Sequence, residues 1–121
     1  SSDLKCMSKF RALEIRADRL LQLHYVPLNP NCIVCGGMTS EMHHVIPKSQ
    51  SNALRYDKNN LVSLCKRCHC RHHLSGDPNI LATIIKVKGQ AWFDDLQSRR
   101  HTITKLNREY LLNVIRNLDQ V

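Results

Sequence analysis

The sequence predicts an α+β fold in which a small zinc-stapled core of two short strands and a helix is flanked by α-helices. Three observations carry this. Four of the six cysteines form two identical pairs, Cys32-Ile-Val-Cys35 and Cys65-Lys-Arg-Cys68. Short runs bounded by turn residues lie between the pairs and read as strands. The segments on either side repeat apolar residues at helical spacing. At 121 residues the chain suits one domain, 1–121. Folding at this size hides only about two-thirds of the unfolded surface, so a metal staple helps a modest core.

Composition narrows the class. Hydrophobic residues make up 42% and charged ones 23%, which excludes collagen-like, low-complexity and mostly disordered chains. No apolar run approaches the ~20 residues of a membrane span and no signal peptide is visible, so the expected location is cytoplasmic. Eighteen basic residues against 10 acidic give +8, an excess that favours a polyanionic partner, nucleic acid first.

Residues 1–30 read as a helix and an irregular lead-in. Leu4, Met7, Phe10, Leu13, Leu20 and Leu23 recur at helical spacing, Asp3 is a fair N-cap, and Pro27 and Pro30 stop the helix. The opening Ser1-Ser2, without Met, suggests a processed start and leaves open a longer natural chain.

Residues 31–76 form the core. They hold five of the seven histidines, all four paired cysteines and six Lys/Arg against two acids, Glu41 and Asp57. Glu41–Ile46 reads as a strand ended by Pro47, 49–60 as a polar loop, Leu61–Leu64 as a second strand, and Cys68–Leu74 as a helix stopped at Ser75-Gly76. Two CxxC pairs, each a tight turn offering two thiolates, suit one tetrahedral zinc held by Cys32, Cys35, Cys65 and Cys68. Disulfides would need an oxidising compartment, of which the chain gives no sign. Cys6 is expected to be a plain thiol. Cys70 can compete for the metal, although the paired pattern disfavours it.

Residues 77–121 return to helix. Asp77-Pro78 caps and opens 79–87, Gly89 breaks it, and 91–99 makes a second short helix. Thr104 can cap a last helix whose stripe of Leu106, Tyr110, Leu111, Val114, Ile115 and Leu118 is a core-packing or dimer face.

The chemistry lies in the histidines. His69 and His73 are four apart, share one helical face and can grip one ion. His72 is one residue off that face and is expected to point at solvent or phosphate. His43 and His44 are neighbours in a strand, so their side chains point to opposite sides. One can be a ligand while the other acts on whatever the ion holds. Four thiolates already complete a tetrahedron, so a three-histidine site is a second, open one.

His43-His44 before Ile46-Pro47, Asn60 before an apolar strand, and Cys65–Cys68 followed by His69 on a helix resemble the HNH endonucleases with their ββα-metal fold, over about residues 32–73. Cys32–Cys35, Leu54-Arg55-Tyr56-Asp57 and Gly89-Gln90 onward are similar to the NinG/Rap recombination endonucleases of lambdoid phages. Many HNH members carry a carboxylate or another residue where His43 stands and Asn where His69 stands; the all-imidazole set here is closer to the colicin nucleases. The resemblance implies that His43, His69 and His73 hold one divalent metal, that His44 is the general base, and that Asn60 ties the loop orienting His44. Imidazole ligands favour Zn, Ni, Co or Mn over Mg.

The expected partner is DNA, branched or duplex, contacted through phosphates by Lys48, Arg55, Lys58, Lys66, Arg67 and Arg71, with shape rather than base contacts giving specificity. A homodimer stays open. The expected function is a metal-dependent DNA endonuclease, with structure-specific cleavage of recombination intermediates implied by the NinG/Rap resemblance. The alternative is a non-catalytic zinc module that binds nucleic acid; a protein-interaction zinc domain is disfavoured by the charge.

Overall fold

The computed structural model describes residues 2–119, and their side chains from residue 9. The side chains of Asp3, Leu4, Cys6 and Met7, to which cap, stripe and thiol roles were assigned, therefore lie outside the described residues. In chain order the elements are α1 (Ser2–Tyr25), β1 (Glu41–His44), a single 3-10 turn (Lys58–Asn60), β2 (Leu61–Leu64), α2 (Lys66–His73), α3 (Pro78–Lys88), α4 (Gln90–Arg99) and α5 (Arg108–Asp119). β1 and β2 form a two-stranded antiparallel sheet with Glu41 opposite Leu64 and His43 opposite Val62. No described helix is long and apolar enough to cross a membrane.

β1 is two residues shorter than expected. Beyond His44 the pairing bends away: the Val45 amide still donates to the Asn60 carbonyl, but the Ile46 amide turns to the Asn60 side chain. α2 starts earlier than expected, at Lys66, because the Cys65 Sγ accepts from the Cys68 amide and caps it. The last helix is capped by Asn107, whose Oδ1 accepts from the Tyr110 amide, and not by Thr104. Asn107 stands three residues before Tyr110 and is placed to reach an otherwise unpaired first-turn amide.

Two helical layers hold the core in place. α1 and α5 pack together through Ala17, Leu111 and Ile115, so the α5 stripe is an internal packing face. Leu21 of α1 joins Met42 and Leu61 beneath the sheet. Gln22 also donates to the Met42 carbonyl and accepts from its amide, so a side chain takes the place of a neighbouring strand along β1. On the other side, Ile80 and Ile84 of α3 cover Cys32, Val62, Leu64 and Cys68. Leu96 of α4, with Trp92 packed against it, meets Ile46 and Leu54. α3 and α4 are separated at Gly89, whose φ of +103° a side chain would disfavour. The long 45–60 connection is thereby clamped between helices, with the Trp92 indole donating to the Asn59 carbonyl and Arg99 pairing with Asp57 at 2.6 Å.

Candidate metal centres

The first centre is the four-cysteine group. Its sulfurs all lie within 4.8 Å of one another, with Cys35 and Cys65 at 3.5 Å. Four thiolates at ~2.3 Å from one zinc stand about 3.8 Å apart, so the donor set fits a tetrahedral ion. Gly36, at φ +77°, makes the tight turn of the first pair, and Cys65 does the same for the second as the cap of α2. Cys32 and Cys68 are buried while Cys35 is exposed. Burial raises the Cys32 thiol, but the backbone amides around Cys65, Cys35 and Val34 outweigh it and bring it down to about 7. Burial, reinforced by its thiol neighbours, pushes Cys68 up. A buried thiolate of that kind needs a cation beside it. Cys70 stands outside the group.

The second centre lies at the opposite end of α2. Nitrogens of His43, His69 and His73 all fall within 4.8 Å of one another, and the ring centroids of His69 and His73 are 4.4 Å apart. Strand β1 carries His43 and helix α2 carries the other two, and β2 joins them directly. Three imidazoles on one ion at about 2.0–2.1 Å bring their nitrogens to roughly 3.4 Å, a change within side-chain rotation. His43 is buried, and that burial with His72, His73, His69 and His44 around it lowers its pKa to about 3. Burial and the neighbouring His69 and His72 lower His73 as well. Both imidazoles are thus neutral at pH 7, the form that binds metal.

Glu41 belongs to this site. Its carboxylate lies 2.6 Å from Nδ1 of His69, so it accepts the Nδ1 proton and leaves Nε2 as the nitrogen that could hold an ion. The signal was in the sequence: Glu41 and His43 are two apart in a strand and share a face. His72 departs from the solvent-facing expectation. It is half-buried, and its ring lies 4.9 Å from that of His43, because i,i+3 positions of a helix are neighbours too. It remains outside the three-nitrogen group.

His44 faces elsewhere. Its Nε2 meets the Arg55 carbonyl at 2.8 Å. A carbonyl only accepts, so Nε2 carries the proton and Nδ1 is left with its lone pair. Burial lowers the His44 pKa, and this outweighs the opposing effect of the carbonyl bond. His43 and His44 border the same open groove of about 450 Å³, together with Asp18, Lys48, His69 and His73. Asn60 is fully buried beneath it. Its side chain accepts from the Ile46 amide at 2.8 Å and donates to the Ile46 and Leu54 carbonyls at 2.9 and 3.1 Å, closing both ends of the loop that ends at Arg55.

The basic residues divide. Lys66 and Arg67 are exposed on the first turn of α2, and Lys58 is exposed on the 3-10 turn. Lys48 is exposed on the groove rim, 3.7 Å from Asp18. Arg55 corrects the expectation of a phosphate contact. Its side chain is only 12% exposed, and it pairs with Asp18 at 2.8 Å and Glu14 at 3.4 Å, tying the loop to α1. Arg71 is held by Asp77 at 2.6 Å.

The family model for HNH endonucleases matches residues 32–74, the stretch that contains both centres. No curated protein and no solved structure matches the chain. That match and the metal-ligand geometry support a nuclease or nucleic-acid-binding function, with a four-cysteine site able to hold zinc.

Proposed function

We propose, from the match to the HNH endonuclease model and the division of labour between His43 and His44, that the chain is a metal-dependent DNA endonuclease acting in the cytoplasm. His43, His69 and His73 would hold one divalent ion, with Zn, Ni, Co or Mn favoured over Mg by the all-imidazole set. Such an ion supplies Lewis-acid stabilisation of charge on the scissile phosphate and the leaving oxygen.

The chain's own residues do the rest. His44, neutral at pH 7 and fixed through Nε2, offers Nδ1 to take a proton from the attacking water. Asn60 holds the loop that carries the Arg55 carbonyl, and so sets the direction of His44. Glu41 fixes the tautomer of His69. Lys48, Lys66 and Arg67 contact backbone phosphates. The observation that supports the reading is that two adjacent histidines stand in different surroundings: His43 sits in a cluster of three imidazoles able to hold an ion, and His44, which also lines the groove, is anchored through Nε2 on a carbonyl.

The resemblance to the NinG/Rap endonucleases extends the proposal to branched recombination intermediates. Cleavage of duplex, single-stranded, forked and four-way DNA with each of the five metals tests both levels. Preferential cutting of forked or four-way DNA supports the finer reading, and equal cutting of all substrates supports only the coarser one. No cutting with any metal, together with tight DNA binding and a single bound zinc, would leave the non-catalytic zinc module.

A further inference from the structure

Beyond the groove, a second recess of about 290 Å³ lies between the loop at 50–52 and the segment at 100–104. Gln50, Ser51, Asn52, Arg100, His101 and Thr102 line it, and no acidic residue does. Arg100 is its only formal cation. One terminal nitrogen of Arg100 donates to Gln97 at 2.7 Å, the other donates to Gln50, and Nε is buried without a partner. Among the described residues Arg55, Arg71 and Arg99 each meet a carboxylate; Arg100 meets neutral amides only. Its fork is held in place while its charge is uncompensated, an arrangement that suits an anion with oxygen acceptors.

Along the chain the recess lies close to the groove. Pro47 and Lys48 border the groove, while Gln50–Asn52 border the recess. Four residues span at most about 14 Å, a few nucleotides of one strand at ~3.4 Å each. Ile103, 94% exposed beside Arg100, offers an apolar contact that a sugar or base edge can use and a free phosphate ion cannot.

We infer that the recess at Arg100, His101 and Asn52 is a second subsite for a DNA backbone phosphate, a few nucleotides from the scissile one. This rests on the DNA-nuclease reading. The test uses a His44→Ala parent, which should bind duplex DNA without cutting it, and reads affinity by fluorescence anisotropy between 50 and 200 mM salt.

Arg100→Gln should weaken binding roughly tenfold at the lower salt and make the log–log salt slope shallower by about 0.9, the loss of one phosphate contact. Thr102→Asp, an exposed change that places a negative charge in the recess, should weaken binding similarly and decides the matter if Arg100→Gln fails to fold. Arg116→Gln, the same charge loss on α5, sets the background. Effects no larger than that background would overturn the subsite while leaving the nuclease reading intact. So would Arg100-dependent stabilisation by inorganic phosphate with no effect on DNA affinity. A parent that binds no DNA at all would overturn both.

Discussion

The side-chain amide of Asn60 donates to the Leu54 carbonyl at 3.1 Å, one residue before the carbonyl that meets Nε2 of His44 at 2.8 Å. A fully buried residue without a chemical role of its own is thereby linked to the proposed base through one peptide unit. Replacing it should disturb stability and catalysis together.

Asn60→Ala removes three buried hydrogen bonds and leaves the Ile46 amide without its partner. Each orphaned buried group costs about 1–3 kcal/mol, so the zinc-loaded protein should lose roughly 3 kcal/mol of unfolding free energy in urea titration. A loss below about 1 kcal/mol would show that Asn60 is only a turn residue.

The two adjacent histidines should fail differently. His44→Ala should keep both metals and lose cleavage by about 10²–10⁴-fold, the usual cost of a general base. His43→Ala should weaken the second metal, and high metal should restore part of its activity. Calorimetric metal titration beside a plasmid-nicking assay separates the two; a His44→Ala protein that nicks at the wild-type rate refutes the assignment.

Zinc removal should unfold the core. The two cysteine pairs close a connection of 29 residues, Gly36 to Leu64, and α3 packs directly on Cys32 and Cys68. Metal binding in such a small core is folding free energy. Chelation should abolish the cooperative melt seen by circular dichroism, and an unchanged melt would count against a structural zinc.

Arg55→Gln should destabilise without affecting phosphate contacts. The guanidinium is nearly buried, and its loss leaves Asp18 with only Lys48 at 3.7 Å and Glu14 with only Arg11 at 3.9 Å, at a cost of about 2 kcal/mol. The salt dependence of DNA binding should keep its wild-type slope. Arg67→Glu should do the reverse, weakening binding at an unchanged melting temperature.

Without added second metal, stability should fall as the solution is acidified from pH 6.5. His43 takes up its proton near 6.5 in the unfolded chain but only at about 3 when folded, through burial and its histidine neighbours. The folded pKa is depressed, so its full contribution is present above 6.5 and declines as pH drops toward 3. The decline attributable to His43 is about 1 kcal/mol between pH 6.5 and 5.5 and steepens to about 1.4 kcal/mol per pH unit below that. His43→Gln should remove that part of the slope between pH 5.5 and 6.5; identical slopes in the two proteins would contradict it.

Much of the core was legible because it is written in local spacing. The CxxC pairs, the His69/His73 interval and the Leu61–Leu64 run each encode their geometry within a turn or a strand, and so the sheet, α2 and the clustering of the four cysteines and of His69 with His73 follow from short-range rules. Glu41 and His72 also obey such rules, i,i+2 and i,i+3, although their place at the site becomes clear only once the second element is fixed. Tertiary structure alone decided the fate of the cations. Arg55 and Arg100 look alike in the chain, yet α1 brings Asp18 and Glu14 to the first, whereas only Gln97 and Gln50 come to the second. Whether a charge faces solvent, a carboxylate or an empty recess depends on which distant helix packs over it, and no local periodicity carries that information.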